Sequence, residues 1–180
     1  METERILLRH WQKSDAEALF KYASDPEIGP HAGWSAHKSI KESLGIIQNF
    51  FNNDGTWAIV LKETDEAIGC IGYYTHEASN IPIGENDCEV GCWIGKPYWN
   101  KGICTEALKL VLDYCTKVKH FENIWADHFT GNHASRKIME KFGFTDTGML
   151  NRCSLLVGGD KGMVKVFKYN KSRKRKHSLS

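Results

Sequence analysis

Two hydrophobic periods run along the chain, and their order outlines its elements. RILLRHW, residues 5–11, reads as a first strand. In SDAEALFKYAS, Ser14 precedes Glu17 by three positions, a capping-box spacing that opens a helix. Pro26 restricts the residue before it and stops that helix near Asp25. PEIGPHAGW, with two prolines and two glycines, is a loop. A second helix is expected over 35–51, with Ile40, Leu44, Ile47 and Phe51 on one face. TWAIVLKE and AIGCIGYYTH, joined by TDE, predict a hairpin over 56–76. After the loop EASNIPIGEND, CEVGCWIG alternates as a strand up to Lys96-Pro97. The period then changes abruptly. Gly102 is followed by a run that places Cys104, Ala107, Leu108, Val111, Cys115 and Val118 on one helical face. NIWADHF predicts another strand, and NHASRKIMEKFGF a short helix closed by Gly143 at the position that favours glycine. TGMLNRCSLLV and GMVKVFKYN, joined by GGDK, predict a final hairpin.

The pattern contains no internal repeat and no interdomain linker, so residues 1–170 read as one domain. No run approaches the roughly 18 apolar residues of a membrane span. METERILLRH is charged where a signal peptide is apolar, which points to the cytoplasm. The six cysteines are then expected as free thiols. The net charge of +2 conceals an asymmetry. From Lys168 onward there are six basic residues and no acid, which leaves residues 1–167 at −4. Residues 171–180 are expected to be a disordered basic tail. Nucleic acid is an expected partner only through that tail, and the acidic body suits a cationic acceptor.

Several chemistries are excluded by spacing. GCWIGKP is one residue short of a P-loop and lacks its Ser or Thr, and no GxGxxG follows the first strand. Cys88 and Cys92 on a strand lie about 13 Å apart, too far to share an ion, and there is no CxxC or HExxH, so no metal is expected. No GxSxG elbow marks a serine nucleophile. What remains is YWNKGICTEAL. Gly102 permits backbone angles that other residues avoid, and Thr105 and Glu106 suit a first helical turn. A strand, a glycine turn and a helix N-terminus together make an anion site. Cys104 sits in that loop, at the start of the helix.

EVGCWIGKPYWNKGICTEAL, followed about 25 residues later by NHASRKIMEKFGFTDTG, resembles the GNAT superfamily of acetyl-CoA-dependent N-acetyltransferases, most nearly its ribosomal-protein N-terminal branch. The resemblance implies an α+β fold with a mostly antiparallel mixed sheet of six to seven strands. That sheet is splayed open at the cofactor site and flanked by about four helices. It implies a phosphate loop Gln/Arg-x-x-Gly-x-Gly/Ala, here Trp99 to Cys104, with Trp99 and Cys104 departing from the pattern. The pyrophosphate of acetyl-CoA would be held by backbone N–H groups across Asn100, Lys101, Gly102, Ile103, Cys104 and Thr105. The pantetheine arm would lie against Cys92, Trp93 and Ile94. Asn132 aligns with a cofactor-side Asn and is also a plain N-cap candidate.

The implied reaction is direct attack of a neutral amine on the thioester. Glu89 is the expected base through water, with Glu85, Asp87 and Glu77 as rivals. Ser135 is the expected partner of the leaving thiolate, with Tyr73, Tyr74 and Tyr98 as rivals. His31 and Trp34 are expected in the acceptor wall, where loop packing explains them equally well. The acceptor is a protein N-terminus or a small-molecule amine, and the assembly a monomer or a homodimer. Two other readings stay open: an acyl-CoA sensor without turnover, and a ribosome- or RNA-associated module acting through the tail.

Overall fold

The computed structural model describes residues 1–152 and 163–170. Strand β1 is Ile6–Arg9, shorter than the pattern suggested. A 3-10 turn, Lys13–Asp15, leads into helix α1, Ala16–Ala23. The Ser14–Glu17 capping box does not form. Asp15 takes its place: its Oδ2 accepts from the Gln12 N–H at 2.8 Å, and its carboxylate receives both terminal nitrogens of Arg9 at 2.7 and 2.9 Å. A buried acid with three donors holds this entry more firmly than an exposed serine.

A single turn, α2, Gly29–Ala32, lies inside the segment read as a loop. Helix α3, Ile40–Asn49, starts later than expected because Ser39 caps it, accepting from the Glu42 N–H at 3.1 Å. Its buried face is rotated as well. Ile40 is exposed, while Ser43 is buried and bonded to His37 Nδ1 at 2.8 Å. The hairpin follows as β2, Thr56–Leu61, and β3, Glu66–Thr75. Then come β4, Cys88–Ile94, and α4, Ile103–Lys117. The chain continues through β5, Ile124–Phe129, and α5, His133–Lys141, to β6, Phe144–Arg152, and β7, Met163–Tyr169. The GGDK turn and the tail, 171–180, lie outside the described residues.

The strands form one sheet in the order β1-β2-β3-β4-β5-β7-β6. Every neighbouring pair is antiparallel except β4–β5. Alternation assigns β2 to two cores: Trp57 and Ile59 face α4, and Ala58 and Val60 face α1 and α3. A bulge leaves Ile68 unpaired between the Ile59–Gly69 and Val60–Ala67 pairs, so both Ile68 and Ile71 reach the α4 core. On α4 the stripe is Ile103, Ala107, Leu108, Val111, Leu112 and Cys115. Cys104 is half-buried, and Val118, just past the last helical residue, is exposed. Among the described residues no helix is long and apolar enough to cross a membrane.

Candidate active site

The sheet opens at its one parallel junction. Strands β4 and β5 pair at Cys88–Ile124 and Glu89–Trp125 and no further. Asp87 fastens the closed end. Its carboxylate accepts from Asn123 N–H (3.1 Å), Asn123 Nδ2 (2.8 Å) and Trp125 Nε1 (2.8 Å). Burial pushes this carboxyl up, but those bonds outweigh it and hold the pKa below the usual value. Asp87 is thus a strand clamp, which argues against it as a rival base.

Past Glu89 the inner edge of β4 has no strand partner among the described residues. The Gly95 N–H bonds the Ile68 carbonyl at 2.8 Å. Ladder alternation then turns the backbone of Trp93, Gly91 and Glu89 toward β3, and that of Val90, Cys92 and Ile94 into the gap. Trp93 therefore brings its side chain to the gap, not its backbone. The Ile94 carbonyl is already used, accepting from Trp99 Nε1 at 2.9 Å. Trp99, in the place of the pattern's Gln or Arg, ties the loop to the strand end.

The loop has the geometry of an anion cradle. Gly102 has φ +77° and Asn100 φ +60°, left-handed values that glycine takes without strain. The first intrahelical bond is Glu106 N–H to the Gly102 carbonyl at 3.1 Å, so the N–H groups of Ile103, Cys104 and Thr105 precede the ladder. Arg5, which sequence reasoning missed, clamps this turn from β1's entry. Its guanidinium pairs with Glu106, and its Nη2 donates to the Lys101 carbonyl at 2.9 Å.

Loop, gap and α5 enclose a cleft of 630 Å³. Of the residues assigned to the cofactor, all but Lys101 line it. Lys101 turns its Nζ over the Tyr98 ring, 5.6 Å from the centroid. Asn132 caps α5, its Oδ1 accepting from the Ser135 N–H at 3.1 Å, and it lines the cleft as well. Ser135 lines the cleft, as does Tyr98, whose hydroxyl lies 3.3 Å from that of Tyr22. Tyr73 faces away, its ring against Trp57, Tyr114 and Phe121.

Glu89 is 5% exposed and emerges on the face shared with Gly91 and Trp93. Its Oε2 accepts from Ser79 Oγ at 2.6 Å and from the Asn80 N–H at 3.0 Å. Burial outweighs these bonds and raises its pKa. Tyr74 sits opposite Glu89 in the ladder, its phenol also pushed up by burial. Glu77 and Glu85 are exposed in the preceding loop. A second carboxylate, Asp127 on β5, went unnoticed in NIWADHF. Alternation made it one-sided, but the sequence could not say which side faced the gap. Trp34 stacks edge-on against Trp93, centroids 5.4 Å apart. The His31 side chain lies outside the described set.

Comparison with known proteins gives the same outline. Residues 5–145 match the model of the acetyltransferase (GNAT) domain. An uncharacterized N-acetyltransferase of Bacillus subtilis, YoaA, is 29% identical over 157 residues, covering 84% of this chain and 86% of its own length. The Escherichia coli alanine N-acetyltransferase of ribosomal protein uS5 is 27% identical over 130 residues, covering 71% and 61%. A GNAT acetyltransferase structure from Bacillus anthracis superimposes with TM-score 0.80 at 22% identity, covering 96% of this chain and 98% of that one. Spermidine N-acetyltransferase from Vibrio cholerae, solved with CoA and spermine, gives 0.72 at 17%, covering 94% and 98%.

Proposed function

Because the chain belongs to the GNAT acetyltransferase family, an acyltransferase family that uses acetyl-CoA, we propose that it acetylates a primary amine, either a protein N-terminal α-amine or a small-molecule amine. The observation that carries this reading is the loss of β4–β5 pairing beside a helix N-terminus whose first N–H groups precede the helical ladder and are unpaired among the described residues. The relatives named for their acceptors, a ribosomal-protein alanine and spermidine, both present primary amines.

The cleft suits the coenzyme by its own chemistry. The N–H groups of Ile103, Cys104 and Thr105, with the positive end of the α4 dipole, favour a pyrophosphate. The inward backbone groups of Cys92 and the N–H of Ile94 offer strand-like bonds to an amide-bearing arm. The coenzyme supplies the activated acetyl group. Glu89, with its pKa raised, accepts a proton from the incoming ammonium through water. Ser135, at the α5 end of the cleft, offers its hydroxyl to the departing sulfur.

Calorimetry with acetyl-CoA and a thiol-release assay across peptide N-termini, polyamines, amino acids and aminoglycosides test the proposal together. Saturable binding with turnover on at least one amine class is expected. Binding without thiol release on any class would replace it with acyl-CoA sensing.

A further inference from the structure

Asp127 is a half-buried carboxylate that the mechanism above leaves unused. Glu89 pairs with Trp125 in parallel register, so Asp127, two residues on, emerges on the same sheet face as Glu89, across the opening gap. The position facing it on β4 is Gly91, over which the Tyr74 ring lies, 3.4 Å from where a Cβ would stand. Asp127 Oδ2 is buried and has no hydrogen-bond partner among the described residues. Such an oxygen costs stability unless function retains it. The charged and titratable groups on the elements around it are few among the described residues. They are Glu89 on β4, Asp87 just before it and bonded to Trp125 Nε1, Tyr74 on β3, and Lys168 on β7, whose Nζ is held over the Trp125 ring at 4.9 Å.

We propose that Asp127 is a second catalytic carboxylate, which receives the acceptor's ammonium across the gap from Glu89 and shares with Glu89 the first proton it gives up. This rests on the function proposed above. The ammonium gives one proton through water to the Glu89–Asp127 pair, where it comes to rest on Asp127, and becomes a neutral amine. As the C–N bond forms and the C–S bond breaks, the nitrogen loses a second proton, which ends on the coenzyme sulfur. Asp127 then returns its proton to solvent, so transfer releases one proton overall. Two carboxylates facing one space cannot both ionise easily, which keeps one of them able to exchange a proton near neutrality. Burial, reinforced by the charge of Glu89, raises Asp127 to about 7.

Asp127→Asn tests this with two independent readouts. The first is thermal stability from pH 4 to 9. Asp127 binds its proton more tightly folded than unfolded, so its stabilising contribution is full below the unfolded pKa and is lost as pH rises toward 7. The variant does not titrate there. Its melting temperature relative to wild type should therefore climb between pH 4 and 7 and level off above. The second is kcat/KM for the best cationic amine. It should fall at least about tenfold, within the usual worth of acid–base catalysis, and the acidic limb of the wild-type pH profile should disappear. A flat stability difference, or an unchanged rate and acidic limb, overturns the proposal. A wild type that acetylates no amine overturns the proposed function and this inference with it. A wild type that does, beside an unaffected variant, overturns only this inference.

A different observation concerns the coenzyme cleft. Cys92 on β4 and Cys104 on α4 both line it, and Cys92 Sγ–H donates to Cys104 Sγ at 3.2 Å. A disulfide needs about 2.05 Å, so a shift of roughly 1 Å joins them. We infer that peroxide links Cys92 to Cys104 and so closes the cleft to acetyl-CoA. Cys104, the sulfur that accepts the hydrogen bond, is oxidised to a sulfenic acid as peroxide is reduced to water. The Cys92 thiol then displaces a second water and forms the S–S bond. Hydrogen peroxide followed by alkylation and peptide mass analysis should show these two residues linked. Acetyl-CoA affinity should be lost and dithiothreitol should restore it, while Cys92→Ser should abolish the link. Over-oxidation of a single cysteine, or a link that leaves affinity unchanged, overturns the inference.

Discussion

Glu89 holds a loop in the structure and is the proposed base, and substitutions separate the two roles. Its Oε2 holds the 79–81 loop through Ser79 and Asn80, and its burial makes it a stronger base than a solvated glutamate. Glu89→Gln keeps an acceptor for both donors and removes the base. Turnover should fall roughly 10²–10⁴-fold with acetyl-CoA affinity nearly unchanged, and the loss should shrink as pH rises and the amine deprotonates unaided. Glu89→Ala also strands the two donors, so it should lower stability by a further ~1–3 kcal/mol in denaturant titration. An equal loss of stability in both variants would make Glu89 a structural residue only. Ser135→Ala should slow turnover at every pH tested, since its proposed partner is the sulfur.

The α4 turn depends on three contacts at the scale of an element: the left-handed Gly102, the Trp99 tie to β4, and the Arg5 clamp. A Cβ at Gly102 meets nothing closer than Arg5 Nη2 at 3.6 Å, so the cost of Gly102→Ala comes from backbone angle, about 1–2 kcal/mol. Calorimetry should show markedly weaker acetyl-CoA binding as the turn relaxes. Arg5→Ala discriminates further. The Arg5–Glu106 pair is half-exposed, so global stability should change by less than ~1 kcal/mol, while the loop loses its hold on the Lys101 carbonyl and coenzyme affinity falls. Affinity equal to wild type would make Arg5 a surface ion pair without function. Asn132→Ala should cost ~1 kcal/mol through its lost cap.

Across the whole molecule the cleft depends on packing from distant segments. Tyr22 of α1 lies against Gly95, where a Cβ would fall 2.5 Å from its ring, and the Tyr22 hydroxyl meets Tyr98 at the cleft. Gly95→Ala should therefore displace Tyr22 and weaken coenzyme binding without any contact to the coenzyme itself. Removal of residues 171–180 should leave turnover of a small amine unchanged. A large loss would bring the tail to the site, and salt-sensitive nucleic-acid binding that needs the tail would give it a separate role. The sequence by itself determined the periods of most elements, the glycine turn before α4 and the motifs that mark the family. Each of these is written in residues a few positions apart, within reach of one backbone hydrogen bond. It misplaced the starts of α1 and α3, because Asp15 and Ser39 were judged without the Arg9 pairing and the packing that select them. Only the tertiary structure decided where β4 and β5 part and that Trp93 turns its backbone to β3. The same holds for the face of Asp127 and for Arg5, which meets a partner 101 positions away. Those outcomes depend on which strands become neighbours. Neighbouring is fixed by burial and pairing summed over the whole sheet, a quantity no local pattern contains.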